Sequence, residues 1–317
     1  MPTESAPRWA GRQFHNQPVA SHTHGFLVDL WDEVRRDTGG ALAIEVHAEN
    51  GGIMGSDPAA LRLLVEGGLE FMTLMGGLIG QVVPVAEIQG VPFAFASHAQ
   101  VHAAMQGSLG EHLRKEMAAK GIHGFRYGVL ENGFRHIVSV HRPVRTVDDL
   151  AGYRMRIPAG RMFDDLFRAL GAEPVVVNIR ELYAALKDGR VDGQENPLAI
   201  IEVNRLYEVS KYVSLTGHMW SGFNLIGNLA FWERLPADVQ EAVNRGVAKH
   251  AARQRAYTEE FNRSLEAKLA TERAMIFNRA DAASFRKALS AGFYGRWRRE
   301  FGNAAWSLLE ASAGKLS

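Results

Sequence analysis

The stretch Tyr153–Pro197 reads YRMRIPAGRMFDDLFRALGAEPVVVNIRELYAALKDGRVDGQENP. It contains two β-α-β steps, in which each of the first two predicted strands is followed by a short amphipathic helix that ends at a glycine. Such steps predict a parallel sheet with right-handed crossovers. Arg156 and Asn196 then fall at the ends of neighbouring strands, where open α/β sheets bind their ligands. An arginine in that position, with no obvious nucleophile beside it, indicates that the site binds the carboxylate of a ligand.

The N-terminal part of the chain shows the same alternation of strands and helices. Predicted strands cover residues 12–16, 42–47 and 69–74, and the helices between them carry Leu27, Leu30 and Trp31 or begin at Asp57-Pro58. A further helix is predicted at about 98–120. The sequence therefore predicts a first α/β domain with a mostly parallel sheet.

A break in the pattern marks the passage to a second domain. Glu131-Asn132-Gly133 separates two predicted strands, 122–130 and 134–141. Towards the other end, the chain contains no proline after Pro236, and residues from Ala237 to about Ala274 favour one long helix. A helix far above the average of about 11 residues needs a role, and bracing two domains is the role we predict for it.

Composition limits the classes of partner. The chain has 317 residues, with 36 basic and 35 acidic side chains and a formal net charge of +1. This balance argues against nucleic acid or an anionic membrane as the main partner, because both require a clustered basic field. The absence of cysteine excludes disulfides and thiolate chemistry. The sequence as given shows no signal peptide, and its uncharged stretch 71–86 is shorter than the roughly 20 residues that cross a bilayer.

Several polar groups have both a functional and a purely structural interpretation. Arg135 and Arg156 are either anion-binding residues or members of ordinary salt bridges. Asp192 and Glu195 are candidates for the acid/base pair of an enzyme, although no histidine or serine stands at a spacing that requires it. His22 and His24, with His15 upstream, are candidate metal ligands, but a polar helix start explains them more simply. We therefore predict no metal and no cofactor.

Four motifs occur in one order at tight spacing: RMRIP at 154–158, GAEP at 171–174, ELYAAL at 181–186 and VDGQENP at 191–197. Three upstream segments, LVEGGLEF at 64–71, VPF at 91–93 and NGFR at 132–135, accompany them. Together they resemble the substrate-binding proteins of tripartite ATP-independent periplasmic (TRAP) transporters, of the DctP type. The resemblance covers about residues 12–300.

This resemblance implies a periplasmic receptor with an α/β, two-lobe, periplasmic-binding-protein-like fold, a hinge and a long bracing helix after Pro236. It closes on an organic acid and delivers it to membrane permease subunits. The implied lobes are 1–132 with 221–260, and 133–220 with 261–317, and the ligand cleft lies between them. We expect a monomer that binds no nucleic acid and is not an enzyme.

The family also implies roles for individual residues. The arginine at the position of Arg156 forms the main salt bridge to the ligand carboxylate. The asparagine at the position of Asn196 hydrogen-bonds the same group, and the arginine matching Arg135 assists.

Other positions concern the ligand class. Met75 is apolar and falls at a position where sugar-acid members of the family can carry a polar side chain that contacts the ligand. Ile179 is apolar as well. Trp220 and Phe223 are expected to form a wall of the pocket. Polar groups are available at the end of the first strand, namely His15, Asn16 and Gln17. This mixture favours a short hydroxy or keto acid, or an aromatic acid, over a heavily hydroxylated, sialic-acid-like ligand.

Two other functions remain open at this point. One is an α/β lyase or isomerase that uses Asp192 and Glu195. The other is a receptor that senses a ligand for a signalling partner. Turnover of a bound acid distinguishes the first from a binding protein, and neighbouring permease or kinase genes distinguish the second.

Overall fold

The computed structural model describes residues 6–54, 56–289 and 291–316. The strands are β1 Trp9–His15, β2 Leu42–His47, β3 Phe71–Met75, β4 Ile122–Ser139, β5 Arg154–Ile157, β6 Glu173–Val176, β7 Gly193–Asn196, β8 Tyr212–Asn228 and β9 Ile276–Arg279. The helices are α1 His22–Asp37, α2 Ser56–Val65, α3 Gly76–Ile79, α4 His98–Gln106, α5 Ser108–Ala118, α6 Arg161–Ala169, α7 Ile179–Lys187, α8 Leu198–Val203, α9 Leu229–Arg234, α10 Ala237–Glu272, α11 Ala282–Ala288 and α12 Ala291–Ala313.

The chain divides into two compact units. The first unit comprises the chain up to Leu74 together with Gly110–Leu130 and Phe223–Tyr257, and the second comprises Met75–Leu109, Glu131–Gly222 and Thr258 onward. The chain therefore passes between the units inside β3, α5, β4, β8 and α10, and the last three passages lie close to the crossings predicted near 132, 220 and 260. Residues 75–109 pack with the second unit, whereas we placed them in the first lobe. The lobe boundaries stay a prediction.

The first unit is built on a parallel sheet. β1 lies between β2 and β3 and is parallel to both, with Gln13 opposite Val46 on one side and Phe71 on the other. Ser21 caps α1 by accepting a hydrogen bond from the backbone N–H of His24. The buried face of α1 contains Trp31, whose ring lies 4.6 Å from that of Phe71. The predicted β-α-β-α-β order of this unit is confirmed.

The second unit contains the decisive stretch of sequence. β7 lies between β4, to which it is antiparallel, and β5, to which it is parallel. β6 is parallel to β5 on the other side. A buried cluster beneath this part of the sheet includes Leu182, Leu186, Ile201, Leu265 and Leu269.

Three local predictions met different outcomes. The helix predicted at 98–120 is divided into α4 and α5, because Gly107 adopts an extended backbone conformation between them. The break predicted at Glu131-Asn132-Gly133 is absent, since β4 continues through it with Gly133 at a φ of 134°. The long helix is confirmed: α10 covers 36 residues without interruption.

Among the described residues, no helix has both the length and the hydropathy required to span a membrane.

Candidate functional site

Arg156 and Asn196 lie on adjacent strands, as predicted. β5 and β7 run parallel, and Arg156 is the register partner of Gln194. Side chains two residues apart in a strand point to the same face of a sheet, as do the partners of a register pair. Arg156, Gln194 and Asn196 therefore share one face near the ends of their strands.

A hydrogen bond fixes the guanidinium of Arg156 near the carboxyl end of β5. The side chain is buried, and its Nε donates to the carbonyl of Val177 at 2.8 Å. Val177 follows β6, the neighbouring strand, so its carbonyl fixes the position of the guanidinium relative to two strands. A guanidinium stays charged in proteins, and its planar fork matches a carboxylate. The site thus places a positioned cation where open sheets bind ligands.

Gln194 supplies a second polar group on the same face. Its side chain is fully buried, and its Oε1 accepts a hydrogen bond from Asn196 Nδ2. Within the described residues, Gln194 Nε2 has no hydrogen-bond partner. Because buried polar groups are nearly always hydrogen-bonded, an unsatisfied amide beside Arg156 is a natural partner for a ligand oxygen.

Arg135 has a mainly internal set of contacts. Its Nε and Nη2 donate to the carboxylate of Glu195, and Nη2 also donates to Asn196 Oδ1 at 3.0 Å. Its Nη1 donates to Ser221 Oγ at 3.2 Å. Arg135 therefore orients Asn196 through its amide oxygen and leaves the amide nitrogen directed at Gln194. A direct contact between Arg135 and a ligand stays a prediction.

Arg135 and Glu195 form a buried ion pair, and both its burial and its charges shift the pKa of Glu195. Burial alone raises the pKa of Glu195, but the charge of Arg135 and the hydrogen bond from His218 lower the pKa below its ordinary value. The nearest atoms of His218 and Glu195, Nε2 and Oε2, are 3.3 Å apart. Glu195 is therefore ionised near neutral pH and balances the charge of Arg135.

Three predicted pocket residues of the second unit have different surroundings. Met75 lies against Arg135, since its Sδ is 3.6 Å from Nη1. Trp220 is buried, and its indole N–H donates to Glu131 Oε1 at 2.8 Å. Ile179 is the first residue of α7 and packs partly against the buried cluster of this unit. The structure thus brings Met75 to Arg135, and contacts of all three residues with a ligand stay predictions.

The polar residues at the end of β1 form a network within the first unit. Gln17 Nε2 donates to Asn16 Oδ1 at 2.8 Å, and Asn16 Nδ2 donates to Asp57 Oδ2 at 3.1 Å. His15 Nε2 lies 2.9 Å from Nδ1 of His24. Burial, with a smaller contribution from the nearby His24, lowers the pKa of His15 to about 3, so its imidazole is neutral at physiological pH.

Two candidates of the first unit remain, Phe223 and His22. Phe223 is buried. His22, whose role the sequence left open, lies against the Tyr257 ring at 5.1 Å between centroids. The ligand roles of Phe223 and of the polar residues at the end of β1 stay predictions.

Asp192 and Glu195, the candidate acid/base pair, have separate partners. Asp192 accepts hydrogen bonds from the backbone N–H and side chain of Arg154, which lower its pKa. Glu195 is fully buried against Arg135. Each carboxylate is thus neutralised by its own arginine, an arrangement suited to holding strand β7 in place.

Sequence reasoning did not single out Gln194, although a signal was present. Gln194 stands two residues before Asn196 in VDGQENP, and the period of a strand places both on one face. Ser221, which donates to the carbonyl of Gly133 and accepts from Arg135, had no comparable signal in its sequence neighbourhood.

The family model DctP, described as bacterial extracellular solute-binding protein, family 7, matches residues 14–294. The chain belongs to this family. A relative from Sinorhizobium fredii, protein y4mM, is 35% identical over 260 residues, which cover 82% of this chain and 46% of the relative.

Solved structures of TRAP periplasmic solute-binding proteins share the fold of this DctP-family chain. One from a Sulfitobacter species, with bound β-D-galacturonate, is 25% identical with a TM-score of 0.89, covering 96% of this chain and 99% of that one. One from a Polaromonas species, bound to D-erythronate, is 27% identical with a TM-score of 0.87, covering 95% and 98%.

The predicted TRAP resemblance and the two-lobe α/β fold are therefore confirmed. So are the periplasmic location and the assignment to binding proteins in preference to enzymes.

Proposed function

We propose that this DctP-family protein binds a small organic acid and delivers it to the permease subunits of a TRAP transporter. Arg156 holds the carboxylate of the ligand, and Asn196 and Gln194 contribute amide groups from the next strand. The observation that carries this proposal is the register of β5 and β7, which sets Arg156 opposite the unsatisfied amide of Gln194. The galacturonate and D-erythronate bound by the two solved relatives are carboxylates, which supports the same class of ligand.

A buried guanidinium gives this proposal its energetic basis. Hydrogen bonds to a charged group contribute roughly 1.5–3 kcal/mol each, and an arginine forms two of them with one carboxylate. The charge of Arg156 therefore favours an anionic ligand, and a neutral sugar of the same size lacks the group that this site selects.

Within the carboxylates, we favour a compact acid with few hydroxyl groups. The thioether of Met75 lies against Arg135, and Met75 is the position at which the family resemblance implies a polar ligand contact in sugar-acid members. Apolar walls with a few fixed polar groups bind compact ligands well. Both solved relatives hold hydroxylated acids, of which D-erythronate is the smaller, so the size of the acid is the property to test.

The experiment is a calorimetric titration of the protein with matched ligands. The acids are lactate, pyruvate, benzoate, D-erythronate, galacturonate and N-acetylneuraminate, and the neutral controls are galactose and erythritol. We expect at least one acid to bind with micromolar or better affinity, the neutral controls to give no heat, and the compact acids to bind more tightly than N-acetylneuraminate.

Two results contradict parts of this proposal separately. Binding of galactose as tight as that of galacturonate overturns the carboxylate site. Tight binding of a hexuronate or a sialic acid, with no response to smaller acids, overturns only the preference for compact ligands.

Delivery to the permease is tested by uptake. Vesicles that contain the permease subunits should take up the labelled acid only when the binding protein is added. Dependence of a kinase on the loaded protein, without uptake, would favour the sensing alternative.

A further inference from the structure

A second cluster of chemically active side chains lies apart from Arg156, where α4, β4 and α10 meet in the second unit. His98, Glu131 and Glu259 each offer a ligand atom, and these atoms lie within 4.8 Å of one another. This is the only group of its kind among the described residues. We refer to these three residues as the His98 cluster.

The spacing of His98 and Glu131 is close to that of two ligands on one metal ion. His98 Nδ1 and Glu131 Oε2 are 3.0 Å apart. Two ligand atoms at about 2.0–2.1 Å from a tetrahedral zinc ion lie roughly 3.3 Å from each other. His98 and Glu131 therefore need to separate by only a few tenths of an ångström to hold an ion. Glu259, whose ligand atom lies within 4.8 Å of both, reaches the same ion by a movement of its side chain.

Glu131 is oriented by groups outside the cluster. Trp220 Nε1 donates to its Oε1 at 2.8 Å, and His102 Nε2 lies 2.8 Å from its Oε2. Residues that bind metals are commonly held in this way, because hydrogen bonds from the surrounding shell fix the ligand and tune its charge. The Glu131 side chain is 0% exposed, so its charge needs close positive partners.

The cluster is accessible from a cavity. A cavity of about 630 Å³ in the second unit is lined by His98 and Glu259 and also by Phe134, Asn262 and Arg263. His98 and Glu259 are half-buried, whereas Glu131 is buried. An ion can therefore enter from the cavity and keep one coordination position open towards it.

We propose that His98, Glu131 and Glu259 bind one divalent transition-metal ion, with Zn²⁺ as the best match. An imidazole nitrogen with two carboxylates suits zinc and its neighbours, whereas magnesium and calcium prefer oxygen ligands alone. Three protein ligands with one open position are also a common zinc arrangement. The ion links α4, β4 and α10, and it stabilises the second unit.

The test uses tag-free protein that has been treated with a chelator, since a histidine tag binds zinc itself. Equilibrium dialysis with Zn²⁺ should give one equivalent per chain, and thermal unfolding should shift upward with added Zn²⁺. His98→Gln and Glu259→Gln should each weaken the affinity at least tenfold and remove the shift. Glu259 is half-buried, so its variant keeps the experiment informative if His98→Gln folds poorly.

His24→Gln is the matched control, because His24 forms a close contact with a second imidazole, that of His15, in the first unit. That variant should bind Zn²⁺ as the wild type does. The proposal is overturned if the wild type binds no Zn²⁺, or if Glu259→Gln in folded form keeps full affinity. It is also overturned if His24→Gln abolishes binding, or if Mg²⁺ or Ca²⁺ binds more tightly than Zn²⁺.

Discussion

Arg135 and Glu195 form an ion pair that is almost completely removed from solvent. Arg135 Nη2 is 2.7 Å from Glu195 Oε1, and the two side chains are 1% and 0% exposed. Asn196 accepts a further hydrogen bond from the same guanidinium nitrogen. The pair therefore links β4 to β7 and positions one of the amides that we propose for ligand binding.

Removing the arginine from this pair should be costly. Arg135→Met leaves the charge of Glu195 buried without its main partner, and breaking such pairs typically costs about 3–5 kcal/mol. Urea unfolding at pH 7 measures the loss. Arg168→Met is the control, because Arg168 and Asp164 form an exposed pair on one helix face, and it should change stability little. Equal small effects of both substitutions would show that the buried pair is not structurally important.

Gly133 should not tolerate a side chain. Its φ is 134°, and a Cβ there would lie 2.9 Å from both Asn262 Nδ2 and Pro197 Cβ. Gly133→Ala should destabilise the protein by about 1–3 kcal/mol through strain and crowding. Gly25→Ala, in α1 with open space around the position, should instead stabilise by about 0.5–1 kcal/mol. Denaturant unfolding of both variants checks the opposite signs, and a neutral Gly133→Ala would contradict the argument.

His123 should make stability depend on pH. Burial, assisted by the charge of Arg114, lowers the pKa of His123 from 6.5 to about 4. Between these values the unfolded chain binds the proton and the folded chain does not, so this contribution is intact above pH 6.5 and falls as the pH is lowered towards 4. Since one pKa unit corresponds to about 1.36 kcal/mol, the loss over that window is at most roughly 3.4 kcal/mol.

The substitution that checks this is His123→Phe. The imidazole stacks on Trp232 at 4.2 Å with an interplanar angle of 16°, and a phenyl ring preserves that contact. Unfolding free energies measured from pH 7 to pH 4 should fall less steeply in the variant than in the wild type. His22, whose pKa burial also lowers to about 4, keeps part of the slope in both. Identical slopes would show that His123 does not titrate as described.

The sequence predicted those features that depend on local order along the chain. The β-α-β steps set β5 beside β7, which brings Arg156 next to the strand of Asn196. The absence of proline after Pro236 predicted α10 to within two residues of its end. Both follow from periodicity and backbone chemistry, which short windows of sequence contain.

The ion-pair partner of a buried charged residue could not be predicted from short windows of sequence. Arg135 and Glu195 are 60 positions apart, and nothing near either residue indicates the other. The break expected at Glu131-Asn132-Gly133 failed for a related reason. The Asn-Gly pair indicates a turn in isolation, but here β4 pairs with β8 and β7, and Asn262 donates to the carbonyl of Asn132 at 2.9 Å. Tertiary packing decides such cases.

Arg156→Lys tests the proposed anchor most directly. Lysine keeps the positive charge but replaces the planar fork by a point ammonium, so the paired N–H geometry towards a carboxylate is lost. It also gives up the Nε donor that bonds the carbonyl of Val177. Losing roughly 2–4 kcal/mol from a desolvated contact weakens binding by roughly 30-fold to 1,000-fold.

Arg154→Lys is the matched control for this experiment. Arg154 lies two residues earlier on the same strand, but it is exposed and its contacts are with Asp192 and neighbouring carbonyls. Calorimetry with the tightest acid found for the wild type should give near-wild-type affinity for Arg154→Lys and a large loss for Arg156→Lys. Circular dichroism establishes that both variants are folded. Wild-type affinity in folded Arg156→Lys would show that the carboxylate is held elsewhere, because a bidentate clamp cannot survive the loss of its fork.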